Sequence, residues 1–251
     1  MYLQNSIQME WDYRSDGRLP NELRLLSFET NIEKEVKYNG SSRVCQGLSE
    51  VVCFVEGPVR SRSFRPEDKD KCIKITCSQS PTSSQKTKSI GHIDKSLSNF
   101  LDKARETFEA NLILDSYKNA IINISLTIVQ SHGSLRCVIL NAISLALVDA
   151  GIEMKDIVVG CSTGMIPRFP ELPVLDLSAS EELQNKGMLT LGYSPNKDKL
   201  LLLEMTNGKL PMNEVMSLAD NSVEGCKQIY LQLKEFLRSN YALKSVLSKP
   251  V

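Results

Sequence analysis

Histidine and tryptophan are scarce in this 251-residue chain: His92 and His132 are the two histidines, and Trp11 stands alone. The seven cysteines, Cys45, Cys53, Cys72, Cys77, Cys137, Cys161 and Cys226, contain no Cys-x-x-C. That poverty of ligands argues against a zinc site, and no metal is expected. The cysteine count is odd and most of the thiols lie inside apolar runs, as small buried hydrophobes do, so a reduced compartment is expected. Net charge is lacking too, with 30 Lys+Arg against 30 Asp+Glu. Nothing global therefore draws the chain to nucleic acid or to an anionic membrane, and any RNA contact must come from a local patch. No apolar run reaches the ~18 residues of a membrane span. The start, with Glu10, Trp11 and Asp12, has no secretion-signal pattern.

What the chain does have is one dominant stretch, from Gly133 to Gly151. It reads as a helix apolar on nearly every side, roughly 24 Å long at ~1.5 Å per residue, and such a helix is buried all round. Ala142, Ser144, Ala146 and Ala150 leave room for other backbones. Ser134 is placed to cap the start, and Gly151 to end it in the left-handed conformation. Gly133, Ser134 and Arg136 stand where a strand turns into the helix. Free N–H groups and the positive dipole end suit a phosphate there. The plainer reading is a core helix with an ordinary cap and a solvated arginine.

In order, residues 1–15 lack periodicity and read as an N-terminal arm. Leu23, Leu25 and Phe28 begin a strand. Tyr38-Asn39-Gly40-Ser41 carries a tight-turn signal, Val44-Cys45 continues the sheet, and Gln46-Gly47 breaks it. Val51 to Val55 is a continuous apolar strand ended by Gly57-Pro58. Arg60, Arg62 and Arg65 follow on a loop, with Lys69 and Lys71 beyond. Cys72 to Cys77 alternates as a strand. Residues 78–89, rich in Ser and Thr and poor in apolar groups, read as an exposed mobile loop. Leu97, Phe100, Leu101, Ala104 and Phe108, with Ile93, mark one face of a helix. Ile121 to Val129 alternates as a half-buried strand into the central helix. Strands are expected over Asp156–Gly164 and Val174–Leu177, then a hairpin of Met188–Tyr193 with Leu200–Met205. A long amphipathic helix follows from Pro211 toward Tyr241. The class is mixed α/β, mixed sheets with packed helices. The part up to about Leu112 reads like the part after it, strands then a helix, which suits a duplication although no motif repeats.

Several motifs, each weak alone, occur in a consistent order: Asp16-Gly17-Arg18 with Glu22-Leu23-Arg24, Asn39-Gly40-Ser41, Gln46-Gly47, Gly57-Pro58, Leu145-Ala146-Leu147-Val148-Asp149-Ala150-Gly151 and Asp176-Leu177. Together they resemble the ribonuclease PH family, specifically the ring subunits of the eukaryotic RNA exosome. Gly133-Ser134-Leu135 looks most like one ring-subunit type, which we favour. The Asp-Gly-Arg opening is equally at home in a second. The resemblance implies a ribonuclease PH-like fold related to the second domain of ribosomal protein S5, in a single domain over residues 16–251. It also implies partners: other RNase PH-like subunits in a six-membered ring, S1/KH-type cap subunits, an associated hydrolytic nuclease, and single-stranded RNA in the pore. Nucleus, nucleolus and cytoplasm, and roles in rRNA and other RNA processing, go with such a complex.

Active members of this family attack RNA from the 3′ end with inorganic phosphate, which takes cations and donors for phosphate and a carboxylate for a metal ion or proton transfer. Against the family pattern, Arg136 survives, but Leu135 replaces a hydroxyl donor. Asn119 stands in place of an arginine in Tyr117-Lys118-Asn119-Ala120. Asp176 is present, while Glu182 occupies the place of a second aspartate, one methylene longer. The resemblance therefore points to a degenerate site: Asp176 and Glu182 as catalytic remnants, Ser134 and Arg136 as phosphate-binding remnants, and Arg60, Arg62 and Arg65 as RNA contacts. The basic loop has its own plain reading, a solvated segment balanced by Glu67, Asp68 and Asp70. An inert ring subunit without cofactor is the expectation. The alternative is an active phosphorolytic exoribonuclease using phosphate and magnesium. A third reading, a small-molecule enzyme using the helix-start anion site, leaves the other motifs unexplained.

Overall fold

The computed structural model describes residues 13–32, 38–60, 72–80, 94–113, 117, 120–206 and 208–247, with backbone alone for 60, 171 and 241–247. Nine strands and four helices are described within these residues. The first sheet comprises β1 (Leu26–Thr30), β2 (Gly40–Gln46), β3 (Ser49–Arg60), β4 (Ile73–Gln79) and β5 (Ala120–Gln130), in the order β1-β2-β3-β5-β4. All its pairs are antiparallel except β4 with β5. The second sheet, all antiparallel, has the order β7-β6-β8-β9, from β6 (Val159–Ile166), β7 (Phe169–Leu175), β8 (Gly187–Ser194) and β9 (Lys199–Thr206). Helix α1 (Lys95–Asn111) lays Phe100, Leu101, Ala104 and Phe108 into the first core, and α2 (Leu135–Asp149) lies between the sheets. The short α3 is Ala179–Gln184, and α4 (Met212–Leu247) backs the second sheet. The mixed α/β architecture expected from the sequence is present.

Helix α2 is buried without interruption from Cys137 to Leu147. Its polar residues are there to tie it down. Asn141 accepts the Gly160 N–H through Oδ1 (2.7 Å) and donates through Nδ2 to the Gly160 carbonyl (3.1 Å). Ser144 donates to the Val158 carbonyl. On the other side, Ser42 donates to the Ala142 carbonyl (2.7 Å). These bonds satisfy groups that burial would otherwise leave bare. The β2 backbone comes so close that a Cβ at Gly40 would lie 2.4 Å from the Ala150 nitrogen and 2.5 Å from the Ala146 oxygen. The small residues of α2 make this approach feasible.

Several boundaries differ from the sequence reading. Asn39-Gly40 is no hairpin turn: Gly40 opens β2, and Asn39 Oδ1 accepts the Gly57 N–H (2.9 Å). The β2–β3 connection is instead Gly47-Leu48. Gly57-Pro58, a cis peptide, does not end β3, which continues through a register shift to pair Val59 with Ile121. β4 runs to Gln79, so Ser78 and Gln79 are strand and not loop, while residues 81–89 lie outside the described residues. Of the expected arm, residues 1–12 lie outside too, but Arg14 is buried. No boundary falls at Leu112, because β5 inserts between β3 and β4. Helix α4 runs past Tyr241 to Leu247. Among the described residues, no helix is long and apolar enough to cross a membrane.

Candidate functional site

Three segments converge at the start of α2. They are the β5–α2 turn (His132 to Ser134), the β7–α3 turn (Asp176 to Ser178), and residues 14–24. Gly133, at φ +91°, presses so closely on the second turn that a Cβ would meet the Leu177 carbonyl oxygen at 2.3 Å. The turns therefore touch through backbone, and only glycine fits between them.

Asp176 is the hub. Its side chain is fully buried. Oδ1 accepts from Arg24 Nη2 (2.6 Å), and Oδ2 accepts from both Arg24 Nε (2.9 Å) and the Arg24 backbone N–H (2.9 Å). Arg18 Nη1 lies 3.5 Å from Oδ2. Burial by itself would push this carboxyl up, but the hydrogen bonds and charge of Arg24, with help from Ser134, hold it below its ordinary value. Arg24 also donates to the carbonyls of His132 (2.6 Å) and Gly133 (3.1 Å), locking the β5–α2 turn to Asp176. The Asp176 carbonyl accepts from Arg14 Nη2 (2.9 Å) and Arg18 Nη2 (3.1 Å).

The structure places Glu182 against the turn: Oε1 accepts the Ser134 N–H at 2.7 Å. Burial raises its carboxyl above the ordinary range, against the pull of Ser134 N–H, Arg24 and Arg136. Ser134 does not cap α2 with its side chain. It adopts a left-handed conformation (φ +53°), and its hydroxyl bonds Ser162 Oγ (2.7 Å) and the Leu177 carbonyl (3.1 Å). Gly151 does end the helix region left-handed, at φ +70°. Arg136 is engaged elsewhere. Nη2 donates to Ser96 Oγ (2.7 Å), Nη1 lies 3.3 Å from Glu204 Oε2, and the guanidinium stacks over Phe100 at 5.6 Å. Leu135 packs against the core.

Asp176, Glu182 and Ser134 are thus brought together, while Arg136 is turned toward α1 and β9. Arg60 ends β3 with only its backbone described, and Arg62, Arg65, Lys118 and Asn119 lie outside the described residues. Tyr117 is buried, its hydroxyl oxygen accepting the Glu153 N–H (2.6 Å). Magnesium, expected only alongside phosphorolysis, does not fit what is here. Both Asp176 oxygens are held by Arg24, and Glu182 Oε1 is held by Ser134. Among the described residues, no group of three acidic, histidine or cysteine side chains is placed so that it could hold a metal ion.

Four participants escaped the sequence reading. Glu181 and Ser178 form a capping box at α3, legible as Ser-x-x-Glu. Arg14 donates to Glu181 through Nε (2.9 Å) and Nη2 (2.5 Å), and gave no signal in its aperiodic surroundings. Glu204, a lone acid in the apolar run Leu200 to Met205, signals a buried carboxylate that must be paired. Arg136 and Lys103 pair it.

Models for domains 1 and 2 of the 3′ exoribonuclease family, RNase PH, match residues 22–153 and 156–225. The chain belongs to this family. Among its RNase PH relatives, an Arabidopsis thaliana exosome complex component, the RRP41 homolog, is 31% identical across 90% of this chain and 92% of that protein. The Rrp41 exosome component of Pyrobaculum aerophilum is 30% identical over 91% of each. The crystal structure of rice Rrp46 superposes with a TM-score of 0.79 at 25% identity, covering 90% of this chain and all of that one. A subunit of the Archaeoglobus fulgidus exosome, solved with RNA bound to the active site, shares the fold at a TM-score of 0.72 and 18% identity, covering 91% of this chain and 95% of that one. The division between the two family models falls just after α2, where the chain passes from the first sheet to the second.

Proposed function

We propose that this chain is a ring subunit of an exosome-type complex, supporting 3′-to-5′ RNA processing by scaffolding the ring and lining its RNA channel, without phosphorolytic chemistry of its own. One observation carries the second half of this reading. The carboxyl of Glu182 takes the Ser134 N–H, one of the donors that the β5–α2 turn would turn toward an attacking phosphate. An oxygen already seated on that N–H leaves it closed to a second acceptor. Asp176 is spent as a structural anchor, and Arg136 is diverted to Glu204. The relatives named as exosome components support the first half. The Gly133-Ser134-Leu135 turn favours the Rrp46 type of ring position, and the Asp16-Gly17-Arg18 opening suits the Rrp41 type. The partners belonging to this reading are other RNase PH-like subunits, S1/KH-type caps, a hydrolytic nuclease and single-stranded RNA, in nucleus, nucleolus and cytoplasm.

Purified chain incubated with magnesium, phosphate and a 3′-tailed RNA is expected to release no nucleoside diphosphate above background. Robust release that disappears in Asp176→Asn, with the variant still folded by its melting curve, overturns the reading in favour of an active exoribonuclease. Native mass measurement of the endogenous assembly tests the scaffold: a hetero-oligomer of different chains is expected, and a homohexamer contradicts it.

A further inference from the structure

Away from the Asp176 region, Val148 at the end of α2, Ile157, and Tyr230 and Leu237 of α4 wall an open cleft of about 400 Å³. Lys234 and Arg238 also line it, one helical turn apart on α4. The cleft is apolar apart from these cations and two groups already engaged within the protein. Asp156 accepts from the backbone N–H groups of Ile157 (2.8 Å), Asn196 (2.9 Å) and Lys197 (3.2 Å), from Asn196 Nδ2 (2.6 Å), and from Ser194 Oγ. Asn196 Oδ1 accepts the Tyr230 hydroxyl (3.0 Å), which braces that wall. Lys234 Nζ stands 5.5 Å over the Tyr230 ring. Among the described residues, no carboxylate forms an ion pair with Lys234 or Arg238.

We propose that this cleft docks a segment of a partner protein in which a bulky apolar side chain is flanked by carboxylates. The volume takes one large side chain and part of its neighbours, and the walls supply the apolar contact that gives such an anchor its affinity. The two cations select the flanking charge. The Asp156 carboxylate opposes them little, because it already accepts five hydrogen bonds, one from Ile157 beside it and four from Ser194, Asn196 and Lys197 around the β8–β9 turn. Nucleic acid fits less well. A strand needs a track of cations and open aromatic faces for its bases, and the one aromatic ring here is already covered by Lys234. The site is separate from the β5–α2 turn, so its fate does not depend on whether the chain is catalytic.

The test uses full-length protein and three capped tripeptides, Glu-Trp-Asp, Lys-Trp-Lys and Glu-Gly-Asp, titrated in two-dimensional amide NMR. Glu-Trp-Asp is expected to shift resonances of Val148, Ile157 and Tyr230. It should bind about tenfold more tightly than Lys-Trp-Lys, the scale of exchanging attraction for repulsion at a half-buried Lys234 and an exposed Arg238. Glu-Gly-Asp should bind at least as weakly. The double variant Lys234→Glu, Arg238→Glu should reverse the preference between the charged peptides while melting normally. Equal binding of the two charged peptides, shifts at other residues, no saturable binding, or a preference unchanged in the double variant each overturns the proposal. Tighter binding of an oligouridine at these same residues, lost in the double variant, would make the cleft a nucleic-acid contact. Peptide binding that emerges only after residues 1–12 are deleted would make the occupant this chain's own Glu10-Trp11-Asp12.

Discussion

Arg24 and Asp176, 152 positions apart in sequence, meet through three hydrogen bonds of 2.6–2.9 Å that engage both carboxylate oxygens. The same guanidinium holds the carbonyls of His132 and Gly133. A residue pair that reads as a motif remnant is thus the joint between the N-terminal segment, the α2 turn and the second sheet.

Breaking that joint from the arginine side is expected to be severe. Arg24→Ala takes both guanidinium donors from a fully buried carboxylate, leaving it the backbone N–H and Arg18 Nη1 at 3.5 Å, and frees two carbonyls; removing one partner of a buried pair costs about 3–5 kcal/mol. Asp176→Asn keeps the shape and the acceptor oxygen and should cost less. Urea unfolding of the two variants checks the order. Equal losses, or a loss near zero for Arg24→Ala, would contradict the anchoring role.

Acid should expose the same network. Asp176, Glu181 and Asp16 are all held below their ordinary values in the folded chain, where burial is outweighed by Arg24, Arg14 and Arg18 respectively. A lowered folded value means that the unfolded chain takes the proton first as pH falls. The stability these groups supply is therefore complete at neutral pH and is lost on descending through and below the normal carboxylate range. Glu182 works the other way, because burial raises it. Its protonation begins at higher pH and favours the folded state. Melting temperatures between pH 7 and pH 3 should fall most steeply at the acid end. Asp176→Asn should flatten that fall, and Glu182→Gln, which retains an acceptor for the Ser134 N–H, should be neutral or stabilising at pH 7.

Asn141→Leu is expected to cost roughly 2–6 kcal/mol, since it preserves bulk but strands the buried N–H and carbonyl of Gly160 at about 1–3 kcal/mol each. Calorimetric melting would check this, with Ser144→Ala as a milder companion. A loss below 1 kcal/mol in Asn141→Leu would mean that packing alone joins α2 to β6.

For RNA, the balance of 30 basic against 30 acidic residues gives the isolated chain no long-range pull on phosphate. Binding alone should be weak, with a salt slope of roughly −2 if Arg60, Arg62 and Arg65 each meet one phosphate. Replacing all three by Ala should weaken the assembled complex and flatten its salt dependence, measured by titration at two salt concentrations. Nanomolar binding by the isolated chain at physiological salt would contradict a shared-pore arrangement.

Much of the fold could be read from the residues. The α2 run is apolar on nearly every side, and its small residues announced close approach of other backbones. The β8–β9 hairpin and the α1 stripe followed their periods. The misreadings have tertiary causes. Asn39-Gly40 has the composition of a turn, but the Asn39 side chain serves Gly57 and the Gly40 backbone serves α2. Ser134 has the composition of a cap, yet its hydroxyl faces Ser162 and Leu177. At the site, Asp176, Glu182 and Ser134 do converge. Arg136 departs because Glu204, on a strand 68 positions later, offers it a buried partner. Such a pairing leaves no periodic trace in the sequence.

The seating of Arg14 on Glu181 and on the carbonyls of Leu175 and Asp176 spans up to 167 positions. During synthesis, at ~5–20 residues per second, the arginine is made roughly eight to thirty-three seconds before its carboxylate exists. Throughout that interval Arg14 and Arg24 lack Glu181 and Asp176, while Arg18 already has Asp16 two positions away. A segment near the start of the chain thus cannot take its seat until the residues through Glu181 have been made.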